Sequence, residues 1–285
     1  MTCPLFVEPC AGTAALSLRL HHPRARPPVS RMGAKTGYAD AILRVLGLRP
    51  GQGSADRTHY IFCEPDQGVR LLLEAYRDRD LALAAADIIR GWGKSGEEPR
   101  ALWERLRAEG PPKGPEVDPR EVARWVQRAV WSYEQGNIRT GFVGPGQRRQ
   151  DTTGTATATA LSLAPTLPAT ITDDARKVDP PRLPDGTVCY MDPPYVGTTG
   201  YSHKLGRGAV LELARKWEAA GALVCISEAE PIGALVADGW SVVEITGERK
   251  GQKRTFSKQQ REYLTLSRPP AWKPPVQGQL FGGAP

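Results

Sequence analysis

Short apolar runs, rather than alternating apolar and polar positions, mark the candidate strands of this chain. Seven such runs occur, at residues 5–8, 60–64, 169–172, 188–191, 222–227, 240–245 and 262–267. Runs of this kind are typical of parallel strands that are covered on both faces. Helical segments at 38–46, 69–76 and 210–220 lie between several of them. The alternation predicts an α/β fold with a doubly wound, mostly parallel seven-stranded sheet, whose last two strands pair antiparallel at one edge because no helix joins them.

The middle of the chain, residues 91–165, interrupts this alternation. Its clearest element is a helix with Asp118 as N-cap, Pro119 at the first helical position and Glu121 completing a capping box. The apolar residues of the helix share one face and indicate a core stripe: Val122, Trp125, Val126, Ala129, Val130 and Tyr133. We interpret 91–165 as an insertion on the carboxyl-end side of the sheet, between two parts of the core at 1–90 and 166–268. The Thr/Ala run at 152–160 has no functional interpretation, and the Pro-rich tail, 269–285, is expected to be disordered.

Composition narrows the class of protein. The chain has 285 residues, 40% hydrophobic and 24% charged, and it contains no apolar run of the ~18 residues that a membrane span needs. A strand-like run follows the N-terminus almost at once and leaves no room for a signal peptide. Three of the five cysteines lie inside predicted strands, which indicates a reduced, cytoplasmic protein. Since there is no C-x-x-C pair and the four histidines are scattered, no metal site is expected.

Positive charge is concentrated in two segments. The net charge is +7, and residues 246–261 carry six cations against one acid, while 136–150 carry three arginines and no acid. Both segments are predicted to be loops that contact the phosphates of a nucleic acid. The candidate cations are Arg139, Arg148, Arg149, Arg249, Lys250, Lys253, Arg254 and Lys258. Solvated loops with no ligand would give the same pattern, and this alternative stays open.

Distinctive residues follow four of the predicted strands, at the edge where open α/β sheets bind ligands. The first strand runs into a small-residue turn, Glu8-Pro9-Cys10-Ala11-Gly12-Thr13-Ala14. The second ends at Glu64 and the third at Asp173-Asp174. The fourth is followed by Asp192-Pro193-Pro194-Tyr195, which combines a carboxylate, a stiff diproline turn and an aromatic ring. The turn lacks the glycines of a dinucleotide site, and Ile88 stands where a Walker A loop needs glycine.

These residues resemble the DNA adenine methyltransferases of the Dam-like class, especially the small members from phages and prophages, which use S-adenosylmethionine. The donor-binding turn of that family, roughly E-P-F-x-G-x-G, is matched at Glu8, Pro9 and Gly12, whereas Cys10 and Ala14 depart from it. The aromatic-x-G-G-K run of the family is similar to residues 31–35, although here this run follows the first strand. The D-P-P-Y run is the most specific part of the resemblance.

The resemblance implies roles for the matching positions. The methyl donor would be held by residues of the turn and of the glycine-lysine run, with Glu64 at its ribose and Asp174, or the competing Asp173, at its adenine: Glu8, Pro9, Cys10, Ala11, Gly12, Thr13, Gly33, Lys35, Glu64 and Asp174. Catalysis would belong to Asp192, Pro193, Pro194 and Tyr195, which grip the amino group and ring of a flipped adenine. Double-stranded DNA would be the partner, 91–165 a target-recognition region, and the cytoplasm of a bacterium or phage-infected host the location.

Rival interpretations remain open at the level of sequence. The same motif serves cytosine-amino or RNA methyltransferases, although aspartate at position 192 favours adenine. The departures at Cys10, Ala14 and Arg31 also fit a non-catalytic nucleic-acid-binding protein on a decayed methyltransferase fold. Separately, Gln277, Leu280 and Phe281 have the Q-x-x-L-F form and resemble peptides that dock on bacterial sliding clamps, with an incidental tail as the alternative.

Overall fold

A single seven-stranded sheet organises the part of the chain that the computed structural model describes, which is residues 1–29, 35–110, 117–132, 141–142, 154–180, 182–195, 205–245 and 262–272. The strands are β1 (Leu5–Glu8), β2 (His59–Cys63), β3 (Ala169–Thr172), β4 (Val188–Met191), β5 (Leu223–Glu228), β6 (Ser241–Ile245) and β7 (Glu262–Leu266). Three of the predicted strands have the expected bounds, and the others shift by one residue at one or both ends. Short apolar runs therefore located the sheet well.

The strand order is β3-β2-β1-β4-β5-β7-β6. The first five of these strands are parallel to one another, whereas β7 is antiparallel to both β5 and β6. The predicted mostly parallel sheet with an antiparallel pairing of its last two strands is confirmed. Strand β7 lies between β5 and β6, so β6 is the edge strand on that side of the sheet. From the β1–β4 pair, the sheet continues with β2 and β3 on one side and with β5, β7 and β6 on the other. The order of the strands therefore reverses at that pair, which makes it the switch point of the sheet.

Helices cover both faces of the sheet. They are α1 (Ala15–His21), α2 (Ala39–Val45), α3 (Gln52–Ala55), α4 (Gln67–Arg77), α5 (Arg79–Lys94), α6 (Pro99–Ala108), α7 (Pro119–Trp131), α8 (Thr155–Ser162), α9 (Arg207–Ala219) and α10 (Gly233–Ala237). One face carries α1, α2, α4, α5, α7 and α8, and the other carries α9 and α10. Within the described ranges, every helix is too short or too polar to cross a bilayer.

Alternation along β1 connects the sheet to both helical layers. Phe6 belongs to the core beneath α1 and α4, whereas Val7 belongs to the core beneath α9. Both side chains are fully buried. Because successive side chains of a strand point to opposite faces, a strand with two covered faces needs a continuous apolar run.

The helix predicted at Asp118 forms, but its capping box does not. The Asp118 carboxylate accepts a hydrogen bond from the amide of Arg120, as expected of an N-cap. The Glu121 carboxylate, however, pairs with the guanidinium of Arg124. A buried arginine side chain, 2% exposed, is a stronger partner for a carboxylate than a backbone amide, which explains the difference.

The described parts of region 91–165 share the main core. Helix α7 packs on α4 and α5, and α8 packs on α5. The predicted apolar face of α7 is buried from Val122 to Ala129. The Thr/Ala run supplies α8, in which Thr157 and Ala158 are buried, so these small residues allow close packing of the helix. The predicted start of the region, at residue 91, falls inside α5.

A close approach between α4 and α7 requires glycine at position 68. A Cβ atom added to Gly68 would lie 2.0 Å from the indole Nε1 of Trp125. Gly68→Ala should therefore lower the free energy of unfolding by about 1–3 kcal/mol, because the Trp125 indole must move. The measurement is urea-induced unfolding followed by circular dichroism.

The matched control is Gly91→Ala in the exposed part of α5, where an added Cβ would meet no atom within 4 Å. This change should raise the free energy of unfolding by up to about 1 kcal/mol through helix propensity. Equal effects of the two substitutions would show that Gly68 is not needed for the contact between α4 and α7.

Candidate active site

Most of the described site residues follow the carboxyl ends of β1, β2 and β4, which lie together at one end of the strands. Strand β1 pairs in parallel with both β2 and β4. The turn after β1, the acid after β2 and the Asp192 run after β4 therefore emerge side by side. The sequence prediction that strand ends converge there holds for these three segments.

The turn after β1 has an unusual backbone. Gly12 and Ala14 both adopt left-handed conformations, with φ of 50° and 51°. The amide of Ala11 donates to the carbonyl of Cys63 at 3.1 Å, which attaches the turn to the end of β2. A left-handed backbone is easy for glycine but strained for alanine. Ala14 therefore holds a conformation that glycine would adopt without strain.

The Glu64 carboxylate joins the turns that follow β1 and β2. It is 8% exposed and accepts hydrogen bonds from the amides of Gly12 and Asp66, each at 2.9 Å. The two amides bond to different oxygens of the carboxylate, Oε2 for Gly12 and Oε1 for Asp66, so Glu64 holds the two turns together. Asp66 itself caps α4 through the amides of Gly68 and Val69.

Glu8 has a structural contact that the sequence did not predict. Its carboxyl group accepts hydrogen bonds from the amide and the hydroxyl of Ser17, near the start of α1. The N-cap of α1 is Ala14, which has no side-chain oxygen. Glu8 therefore provides the acceptor that a cap residue normally supplies. Burial raises the pKa of Glu8 to about 8, although the bonds from Ser17 oppose the shift.

Asp192 forms an ion pair with a buried lysine. The Lys35 ammonium lies 2.7 Å from a carboxylate oxygen of Asp192, and the two side chains are 3% and 22% exposed. Lys35 begins a short 3₁₀ turn, Lys35–Gly37, that precedes α2. The structure thus places this lysine directly at the predicted catalytic motif.

A second carboxylate, Glu262, completes the cluster. The Tyr195 hydroxyl accepts a hydrogen bond from the Lys35 ammonium at 2.5 Å and donates one to Glu262. The Lys35 nitrogen lies 3.4 Å from the same Glu262 oxygen, and the hydroxyl of Ser227 also donates to it. Burial raises the pKa of Tyr195 well above its usual range, and the carboxylates of Asp192 and Glu262 add to the shift.

Glu228 and Cys10 extend this charged environment. Glu228 ends β5, is buried, and pairs with the Arg207 guanidinium at 2.9 Å. Burial raises its pKa to about 7, and the Arg207 charge opposes the shift. The pKa of the Cys10 thiol is raised well above its usual value, mainly by burial, with the carboxylates of Asp192 and Glu64 adding to it. Cys10 is thus electrostatically coupled to both halves of the site.

Asp174 stands apart from this cluster. Its carboxylate accepts hydrogen bonds from the amide and the guanidinium of Arg176, at 2.8–2.9 Å, and caps the 3₁₀ turn Ala175–Lys177. The Arg176 side chain lowers the pKa of Asp174 to about 2. The described contacts of Asp174 are those of a cap residue, and its predicted bond to the donor's adenine stays a prediction. The competing Asp173 pairs with Lys177 at 3.2 Å.

Several predicted site residues lie outside the described residues. These are Gly33, the eight candidate DNA-binding cations, and the three residues of the clamp-like tail, Gln277, Leu280 and Phe281. Conversely, no motif in the sequence pointed to Glu262 or Glu228. The signal for Glu262 was a charged residue opening an apolar strand, and Glu228 follows the rule that selected Glu64, an acid at a strand end. Among the described residues, no cluster of His, Cys, Asp or Glu is suited to a metal ion.

The raised pKa of Glu8 predicts a pH-dependent stability. Because the folded protein holds this proton at pH values where the unfolded chain has released it, stability should fall as pH rises from about 5 to about 8. Glu8→Gln should remove the share of that fall that comes from Glu8, on the order of a few kcal/mol, because the amide keeps an acceptor for Ser17 without a titrating proton; the share from Glu228 should remain. Urea unfolding at several pH values measures this. An unchanged pH profile in the variant would show that Glu8 does not titrate in this range.

Comparison of the chain with models of protein families and with curated proteins gives no match. A function for this chain must therefore be argued from its own motifs and geometry.

Proposed function

We propose that this protein is an S-adenosylmethionine-dependent DNA methyltransferase that methylates the exocyclic N6 amino group of a flipped adenine. The observation that carries the proposal is the position of the Asp192-Pro193-Pro194-Tyr195 run. It follows β4, next to the Gly12 turn after β1, at the switch point of the sheet. Open α/β sheets bind ligands at such a point.

The residues across the switch point suit the methyl donor. A Cβ added to Gly12 would meet no atom within 4 Å, so a ligand has room to approach the backbone there. The Glu64 carboxylate lies beside this turn, bonded to the amide of Gly12, and carboxylate oxygens are suitable acceptors for ribose hydroxyls. Gly12 and Glu64 would hold the donor, with Cys10 and Ala11 lining the same turn. When bound, S-adenosylmethionine supplies a methyl group activated by a sulfonium centre.

Asp192 and Pro193 supply what an adenine amino group needs in order to react. Its nitrogen is a poor nucleophile because the lone pair is delocalised into the ring. Hydrogen bonds from the amino group to the Asp192 carboxylate and to the Pro193 carbonyl would favour tetrahedral nitrogen. The fixed φ of the two prolines holds these acceptors in place and removes competing N–H donors.

Lys35 favours the form of Asp192 that this chemistry requires. An ammonium 2.7 Å away favours the ionised carboxylate, which accepts hydrogen bonds and does not donate them. Burial excludes water from the pair and strengthens its attraction. Tyr195 would then offer its ring to the base, because its hydroxyl is bonded to Lys35 and Glu262.

DNA is the proposed partner because of the net charge of +7 and the concentration of cations at 136–150 and 246–261. A base inside a duplex cannot reach a pocket at the edge of a sheet, so the target base must leave the stack. The segment 246–261 joins β6 to β7, and β7 begins at Glu262 in the site. This connection favours a role for the basic segment near the flipped base.

Two alternatives fit some of the same observations. An amino group on cytosine, or a base in RNA, would meet the same acceptors at Asp192 and Pro193. A non-catalytic nucleic-acid-binding protein is favoured by the strained alanine at position 14, where the related family has glycine. Calorimetry with S-adenosylmethionine separates the latter from an enzyme, because a decayed pocket should give no binding heat.

The decisive assay is incubation with radiolabelled donor and plasmid DNA, followed by nucleoside analysis. We expect label in N6-methyladenine. Asp192→Ala should reduce transfer by about 100-fold or more, because the acceptor for the amino group is lost, while donor binding persists. The size-matched Asp192→Asn, which keeps a neutral amide acceptor, should reduce transfer less. Retained transfer in both variants would refute the assigned role of Asp192.

The chain provides a matched control in its second Asp-Pro-Pro sequence. Asp179 is 92% exposed and pairs with Lys216 at 2.7 Å, away from the sheet edge. Asp179→Ala should therefore leave transfer unchanged. Label in methylcytosine would select the cytosine alternative, and label only with RNA substrates would select the RNA alternative.

A further inference from the structure

Glu262 is an acidic residue that neither a strand nor a hydrophobic core requires. It opens β7 and is 1% exposed, and the rest of the strand is apolar or neutral. A carboxylate that is buried without partners is strongly destabilising, and even a well-paired one adds little net stability. A functional constraint is a better explanation for its presence than a contribution to folding.

Two described contacts of Glu262 are with Tyr195 of the catalytic motif and with Lys35, the partner of Asp192. One carboxylate oxygen accepts hydrogen bonds from the hydroxyls of Tyr195 and Ser227 and lies 3.4 Å from the Lys35 ammonium. Lys35 in turn contacts both the Tyr195 hydroxyl and the Asp192 carboxylate. Glu262 thus reaches Asp192 through Lys35, and it holds Tyr195 directly.

We propose that Glu262 is a positioning residue for the transfer reaction, which fixes the Tyr195 ring and the Lys35–Asp192 pair in one rigid arrangement. This inference rests on the proposed function and adds to it a residue outside the Asp-Pro-Pro-Tyr motif. Tyr195 and Asp192 both lie in the segment that follows β4. Glu262 on β7 acts as a brace, because it holds Tyr195 directly and Asp192 through Lys35.

The physical reason for such a brace is the geometry of in-line transfer. The amino group is held by Asp192 and the base plane by Tyr195, so any relative motion of the two misaligns the nucleophile. A misplacement of about 1 Å can lower a rate by about 100-fold. A buried carboxylate that accepts bonds from Tyr195 and attracts Lys35 limits this motion without touching the substrate.

The experiment compares Glu262→Gln with wild type. The amide has the same size but no charge, so it weakens the attraction for Lys35 and changes the bond to Tyr195. We expect kcat to fall about 10- to 100-fold, with little change in KM for the donor, in donor binding by calorimetry, or in the urea midpoint. Glu262→Asp, which keeps the charge on a shorter side chain, should recover part of the loss.

A double-mutant cycle tests whether Glu262 acts through Tyr195. Tyr195→Phe removes the hydroxyl and keeps the ring. If the brace acts through the hydroxyl, the double variant should lose little more activity than Glu262→Gln alone. Losses that multiply would overturn the proposed route. Glu244→Gln, the same substitution at an exposed position on the neighbouring strand β6, is the control and should have wild-type kinetics.

A readout without turnover separates this inference from the proposed function. Lys35 should react slowly with an amine-acylating reagent because it is 3% exposed, and Glu262→Gln should speed its labelling several-fold. Lys177, which is 65% exposed, should label equally in both proteins. Mass spectrometry of the peptides measures both rates.

The outcomes are distinct. Faster labelling of Lys35 with a lower kcat supports the brace. Unchanged labelling, a kcat within twofold of wild type, or a kcat loss explained by lost donor binding or lost stability would overturn it. If wild type transfers no label to any nucleic acid, the proposed function fails, and the labelling rates alone then decide whether Glu262 holds Lys35.

Discussion

The parallel pairing of β1 with β2 on one side and with β4 on the other is the constraint on which the site depends. Helices that follow β1 and β2 cover one face of the sheet, while the helix that follows β4 covers the other. The chain segments therefore diverge after these strands and leave a crevice at their carboxyl ends. Gly12 and Glu64 lie on one side of it and Asp192 on the other. A fold that separated β1 from β4 would keep every motif of the sequence and lose the site.

The crevice also contains charged side chains that are largely buried. Lys35, Asp192 and Glu262 are three ionisable side chains removed largely from water, and each makes the burial of the others tolerable. Removing Lys35 from such a set typically costs about 3–5 kcal/mol, since it leaves two carboxylates uncompensated, whereas neutralising Glu262 leaves the Lys35–Asp192 pair intact. The contacts within the set hold its charges in one arrangement, which is the preorganisation that the proposed reaction would require.

The sequence predicted what depends on local patterns, namely the strands, four of the ten described helices, and the position of Asp192 and Glu64 at strand ends. It did not predict contacts between distant segments. Tyr195 contacts Lys35, which is 160 positions away in the sequence, and Glu262, which is 67 positions away. No local sequence pattern encodes such pairs. The capping-box rule also failed, because a second local partner in the same helix competed for the carboxylate. The carboxylate of Glu121 accepts a hydrogen bond from Arg124 and not from the backbone amide of Asp118. An N-cap and a ligand-binding acid look alike in sequence, so the role of Asp174 could not be decided from its position alone.

The half-buried Cys10 illustrates how the same charges govern unwanted chemistry. Its thiol lies in the turn after β1, and burial together with the Asp192 and Glu64 carboxylates raises its pKa well above the usual value. Only a thiolate is a strong nucleophile. In a pocket that binds a sulfonium methyl donor, a thiolate would compete with the substrate and become irreversibly alkylated. Burial, with the help of these carboxylates, therefore keeps this sulfur protonated, and in the proposed enzyme it would protect Cys10 from methylation.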